Sequence, residues 1–141
     1  MTTLKEKILE KMKYPSLASF ATITSDYKPW TRYVVVMADN NLDIWFATRR
    51  TTRKTIQIAN NPEVHLTLGV TDLNTADTYL QIQGRAEILN DSASKKAVWY
   101  DLLDKVFKGP EDPEYCVCKV TPYRIEFNTM DPAVLPQIWE A

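Results

Sequence analysis

Apolar residues recur at two different periods along the chain, and the switches between them mark out its elements. Leu4, Ile8, Leu9 and Met12 stand at helical spacing, with Thr2 or Thr3 able to cap the start and Pro15 closing the end, which predicts an amphipathic helix. The next three stretches, SLASFATIT (16–24), WTRYVVVMA (30–38) and LDIWFAT (42–48), are rich in β-branched and aromatic residues and are joined by the short turns SDYKP and DNN. They read as an antiparallel meander. After a short helical stretch, EVHLTLG (63–69) gives a strand with Val64, Leu66 and Leu68 on one face and His65 and Thr67 on the other. A polar loop, VTDLNTAD, leads to a long strand, TYLQIQGRAEIL (78–89), in which Gly84 predicts a bulge or a sharp bend.

Residues 91–107 carry Ala93, Ala97, Val98, Leu102, Leu103 and Val106 behind a cap at Asp91 or Ser92, and so predict a third helix. The last strand is YCVCKVTPYRIEFNT (115–129), where Pro122 implies an edge or a bulge; the tail from Met130 to Ala141 is apolar without a period. Strands that follow one another directly, rather than alternating with helices, disfavour a doubly wound α/β fold. The expected class is α+β, mainly β: one domain over residues 1–141, a closed six-stranded antiparallel barrel with accessory helices.

Composition narrows the function. A chain of 141 residues suffices to bury roughly two-thirds of its unfolded surface. Its net charge of −1 lacks the broad basic field that nucleic acid or an anionic membrane surface requires. The longest apolar run, YVVVMA, is far short of the ~20 residues of a membrane helix, and the N-terminal residues are charged throughout, so a cytoplasmic protein is expected. Three glycines leave no G-x-G-x-x-G or Walker loop, and one histidine without G-x-S-x-G gives a serine hydrolase no support. Cys116 and Cys118 read as buried free thiols on one strand face, His65 as an ordinary strand histidine, and Asp101, Asp104, Glu111 and Asp112 as solvated carboxylates. No metal site is expected.

One segment resists this accounting. In FATRRTTRKTIQIANNPE, Arg49, Arg50, Arg53 and Lys54 surround the start of a helix predicted from about Thr52 to Ala59. Thr51 or Thr52 caps it, Ile56 and Ala59 share its apolar face, and Asn60-Asn61-Pro62 ends it. A helix N-terminus already carries about half a positive charge, so each added cation there costs about 0.3–1 kcal/mol. Free backbone N–H groups, threonine hydroxyls and converging cations are together the parts of a phosphate site; the alternative is a solvated basic loop whose long side chains splay into water. Arg32, a charge in the otherwise apolar run RYVVVM, lies on the strand that pairs with the one delivering this helix, and is costly there unless it meets an anion or snorkels to solvent.

Arg32-x-Val34, a short turn, and then IWFATRRTTRKTIQIANNPEV resemble the FMN-binding split-barrel superfamily related to pyridoxamine 5′-phosphate oxidase, in particular its short general-stress-protein branch. The resemblance covers about residues 16–90 and implies a six-stranded split β-barrel, a homodimer with FMN at the subunit interface, and a small-molecule substrate or reductant. It implies that Arg32, Thr52, Arg53 and Lys54 hold the flavin phosphate, and that Tyr33, Val34, Val35, Ala47 and Thr48 run beside the isoalloxazine ring. Tyr79 and Gln81 are the nearest matches to a polar side chain before the family's glycine, and Phe127 or Trp139 to an aromatic near the flavin.

The chain also departs from that pattern. Met37 stands where true pyridoxamine-phosphate oxidases have a substrate-holding lysine, and their C-terminal R-x-H-type segment is absent, which argues against that activity. The expectation is a flavin-dependent oxidoreductase of unknown substrate. The alternatives are a deazaflavin-dependent reductase or a non-enzymatic flavin store or sensor; a haem protein is disfavoured by the lone His65.

Overall fold

Alternation along β1 (Ser16–Ile23) separates the inside of the fold from the outside: Ala18, Phe20 and Thr22 are buried, and the residues between them are not. The computed structural model describes residues 1–141. The other elements are α1 (Leu4–Met12), β2 (Pro29–Ala38), β3 (Ile44–Arg49), α2 (Arg53–Asn60), β4 (Glu63–Leu68), β5 (Thr78–Leu89), α3 (Ser92–Val98), β6 (Tyr115–Thr129) and β7 (Gln137–Glu140). The sheet runs β3-β2-β1-β4-β5-β6-β7, all neighbours antiparallel, and β3 pairs with β6 as well, which closes a ring of six strands. This is the expected six-stranded antiparallel barrel with accessory helices.

The barrel is split between β2 and β3. Those strands share only the pairs Met37 with Trp45 and Ala38 with Ile44, so the N-terminal part of β2 separates from β3. Inside, an 18-residue core is held by large side chains such as Phe20 and Phe46, whose rings meet edge to face at 4.9 Å. The helix α1, capped by the Thr3 hydroxyl accepting from the Glu6 N–H at 3.1 Å, buries Ile8 and Met12 in that core.

Gly84 and Pro122 answer each other. The β5–β6 register shifts between Gln83 and Gly84, Gly84 pairs with Pro122, and a Cβ on Gly84 would lie 2.8 Å from Val120 Cγ1 and 2.9 Å from the Thr121 carbonyl. The proline therefore sits at a bulge inside the barrel wall, not on an edge.

Three expectations need correcting. The tail is not without structure, because residues 137–140 form β7 against β6, with Trp139 packed on the core from beside Ile125. The helix expected over 91–107 stops at Val98, and a 3-10 turn, Asp101–Lys105, follows. Val98, Leu103 and Phe107 all converge on Tyr115 and Val117, whereas a straight helix would spread the first three over roughly 13 Å of rise. Finally, α2 buries Thr55 and Ile58, not Ile56 and Ala59; Ile56 is 62% exposed. Thr55 tolerates burial because its hydroxyl donates to the Arg50 and Thr52 carbonyls, at 2.9 and 2.7 Å.

Candidate functional site: a cationic cleft at the split in the barrel

The rotation of α2 has a chemical result. Turning Ile58 inward also turns Lys54 and Gln57 inward, since residues 54, 57 and 58 stand at i, i+3 and i+4 along one helix face. Thr52 is the N-cap, so Arg53 and Lys54 occupy the first turn, where there is no acidic residue. Opposite them, β2 points Arg32, Val34 and Val36 into the barrel. Arg32 ends a row that is otherwise apolar: it pairs with Phe20, which continues through Leu66, Ile82 and Ile125. Because β2 and β3 have parted here, the guanidinium looks into an open cleft of about 430 Å³ lined by Trp30, Thr31, Arg32, Thr52, Arg53 and Lys54.

The cleft holds positive charge without a counter-charge. Arg32, Arg53 and Lys54 form no ion pair with any carboxylate. Burial, and then Arg32, hold the Lys54 ammonium below the ordinary lysine value, and burial followed by Arg53 does the same to Arg32. The Arg53 guanidinium lies 5.4 Å from the ring of Trp30. Thr52 and Thr55 face each other as a capping box: the Thr55 hydroxyl accepts from the Thr52 N–H at 3.2 Å, while the buried Thr52 Oγ1 faces the Thr55 N–H outside the geometry of a hydrogen bond and so keeps capacity for a ligand; Thr48 Oγ1, at the end of β3, is buried without a partner. Unpaired cations, orphaned hydroxyls and the free end of a helix fit a multiply charged oxyanion such as a phosphate.

The structure brings together four of the sequence-predicted residues: Arg32, Thr52, Arg53 and Lys54 share the cleft. Arg49 does not join them. Its Nη2 donates to the Val106 carbonyl at 3.1 Å, and its guanidinium lies 5.3 Å from the Phe107 ring, while Arg50 is exposed. On β2, Val34 faces inward and Tyr33 and Val35 face outward; on β3, Thr48 is inward and Ala47 packs outward beside Tyr115.

Tyr33 and Tyr79 line a second groove, about 490 Å³, on the outer face of the sheet, and Gln81 lies beyond it, accepting from Asn128 Nδ2 at 3.2 Å. His65 stands on that face, its pKa pulled down by burial against the opposing effect of Glu126. Phe127 lies under α1, with the Lys7 and Lys11 ammonium groups 6.0 and 5.9 Å from its ring; Trp139 is on β7. Met37 lines an apolar pocket of about 280 Å³ with Trp45 and Val98. Both cysteines are buried and free.

Two site residues escaped the sequence reading: Thr22 and Gln57, both of which contact Arg32. The signals existed, a polar residue in the inward register of β1 and a glutamine one turn after Lys54.

Similar proteins share this architecture. General stress protein 26 of Bacillus subtilis is 32% identical over 119 residues, covering 84% of each chain. The crystal structure of general stress protein 26 from Bacillus anthracis is 28% identical with a TM-score of 0.83, covering 98% of both chains. A heme-binding protein from Mycobacterium smegmatis, at 12% identity and a TM-score of 0.70 over 89% of this chain and 53% of its own, shares the fold alone. The family model described as pyridoxamine 5′-phosphate oxidase matches residues 4–129, nearly the whole barrel. With that match and the general stress protein 26 relative beside it, this chain belongs to the pyridoxamine 5′-phosphate oxidase family.

Proposed function

We propose that this protein is an FMN-binding, flavin-dependent oxidoreductase acting on a small molecule, with residues 1–141 forming one flavin-binding unit. The observation that carries the reading is the cleft between β2 and α2, where three unpaired cations and a buried, partnerless hydroxyl face one space. Arg32, Thr52, Arg53 and Lys54 take the phosphate; the backbone of Tyr33, Val34, Val35, Ala47 and Thr48, on the strands that flank the split, lines the path of the ring, their side chains alternating between the two faces. The flavin supplies hydride or electron transfer, and the protein supplies position and access.

The outer sheet face supports a homodimer with the flavin at its interface. Leu17, Tyr33, Val35 and Ile138 leave apolar surface on that face open, with Tyr33 75% exposed, and Tyr79 and Gln81 lie between them on the same side. No helix is long and apolar enough to cross a membrane, and the reading places the protein in the cytoplasm. Met37, in an apolar pocket and without a charge to offer, speaks against pyridoxamine-phosphate oxidation itself.

The test is the absorption spectrum of the purified protein, before and after incubation with excess FMN and removal of the unbound flavin. Retained flavin absorbance with one FMN per chain is expected. No retention refutes the reading; a deazaflavin spectrum from heat-released cofactor, or a haem Soret band, assigns the cleft to another cofactor. Turnover of NAD(P)H by the loaded protein separates an oxidoreductase from a flavin store.

A further inference from the structure

Arg32 is held by an unusual set of partners. Its Nη1 donates to Thr22 Oγ1 at 2.7 Å and to the Phe20 and Trp30 carbonyls at 3.3 and 3.2 Å, and its Nη2 donates to Gln57 Oε1 at 3.1 Å. The Thr22 hydroxyl in turn donates to Gln57 Oε1, so the two side-chain acceptors sit side by side, as the two terminal nitrogens of a guanidinium do. A guanidinium can only donate, so the amide atom that Gln57 turns toward it is the oxygen.

Two consequences follow from this geometry. Thr22 and Gln57 occupy the end of the guanidinium, between Nη1 and Nη2, which leaves the side formed by Nε–H and the second Nη2 proton without a protein partner. That side is a two-donor fork matched to the paired oxygens of a phosphate. Moreover, all four acceptors are neutral. They fix the orientation of Arg32 and satisfy Nη1 without cancelling its charge, whereas a glutamate at position 57 would do both.

We infer that Thr22 and Gln57 are positioning residues for the anion site: a neutral hydroxyl–amide clamp that grips the end of Arg32 and presents its free Nε/Nη2 edge, with full charge, to the oxyanion of the bound ligand. The ligand's identity as FMN rests on the preceding reading; the clamp itself is a property of the protein alone. Gln57 reaches Arg32 because α2 turns the face bearing Lys54, Gln57 and Ile58 inward, and this ties the start of the helix to the orientation of the strand arginine.

The experiment has one arm without ligand and one with it. In the protein without flavin, NMR of the arginine side chains is expected to show slow rotation of the Arg32 guanidinium, made fast by Gln57→Met and by Thr22→Val and kept slow by Thr22→Ser. Fast rotation in the unsubstituted protein overturns the clamp whatever the cofactor. In the second arm, dissociation constants are measured for FMN and for riboflavin, which lacks the phosphate. Gln57→Met is expected to reduce the preference for FMN about tenfold, and Gln57→Glu about a hundredfold, through loss of FMN affinity with riboflavin affinity unchanged. An unaltered preference, or equal weakening of both flavins, reduces Thr22 and Gln57 to structural residues and overturns the inference. Failure of the unsubstituted protein to bind either flavin counts against the FMN reading instead, leaving the first arm to decide the clamp.

Discussion

Removing the charge of Lys54 should stabilise the empty protein and weaken the loaded one. Lys54 lies in the first turn of α2, half-buried, beside Arg32 and Arg53, and with no carboxylate to pair it. A cation in the first turn costs about 0.3–1 kcal/mol at an exposed site. Lys54→Met keeps most of the side-chain length and removes that cost, so the apo melting temperature should rise by roughly 1–4 °C for a chain of this size. The same change deletes a charge-assisted hydrogen bond to the phosphate worth about 1.5–3 kcal/mol, which is roughly 10- to 150-fold in the dissociation constant. At an FMN concentration 100 times the wild-type constant, the wild type gains about 2.7 kcal/mol from binding, and a variant weakened a hundredfold gains only about 0.4 kcal/mol. The order of melting temperatures should therefore reverse on adding FMN. Differential scanning fluorimetry with and without the flavin reads both effects. A variant that melts below the wild type when both are empty, or that responds to FMN as the wild type does, refutes the argument that this lysine is kept for an anion.

Thr52→Val removes the N-cap hydroxyl of α2 at nearly constant shape; apo stability should fall by about 0.5–2 kcal/mol while FMN binding weakens roughly tenfold, as measured by denaturation and by flavin titration. Gly84→Ala places a methyl against Val120 and the Thr121 backbone at the bulge, and should cost about 1–3 kcal/mol in urea unfolding, with no gain from adding FMN beyond that of the wild type. Affinity for FMN should decline on the acid side as the phosphate takes up its second proton near pKa ~6, and on the alkaline side as Lys54 loses its proton below the ordinary lysine value of 10.5; an affinity that stays flat past that value contradicts the assignment. Burial pushes the Tyr115 phenol up to about 12 from 10.0. Between those values the unfolded phenol ionises and the folded one does not, so stability should fall with rising pH across that window and less steeply in Tyr115→Phe.

The barrel was legible in the sequence because its signals are local. Alternating apolar residues in β4 separated the inner face from the outer, and Gly84, read as a bulge or a bend, and Pro122, read as an edge or a bulge, marked where the wall is irregular. What stayed hidden depends on contacts distant in sequence. Nothing local distinguishes Ile56 from Ile58 as the buried residue of a short helix; the choice is made by β1 and β5, against which α2 packs, and by the satisfied hydroxyl of Thr55. The break after Val98 follows from Tyr115, 17 positions on, which takes Lys95 and Trp99 as neighbours through a hydroxyl bond of 2.8 Å to the Lys95 carbonyl and a ring contact of 5.3 Å. The cationic residues could be suspected from their wrong-sign charge at a helix start. The resemblance grouped Arg32 with Thr52, Arg53 and Lys54 and left Arg49 out; the open cleft in which they meet, while Arg49 turns to Phe107, comes from the split between β2 and β3, which no periodicity encodes.

In the proposed function the cleft between β2 and α2 binds the phosphate of a flavin. Its most direct test is a side-by-side calorimetric titration of the unsubstituted protein with FMN and riboflavin at one pH and one salt concentration. FMN should bind at least about a hundredfold more tightly than riboflavin, as two or more charge-assisted bonds to the phosphate require. Equal affinity for the two flavins would contradict it.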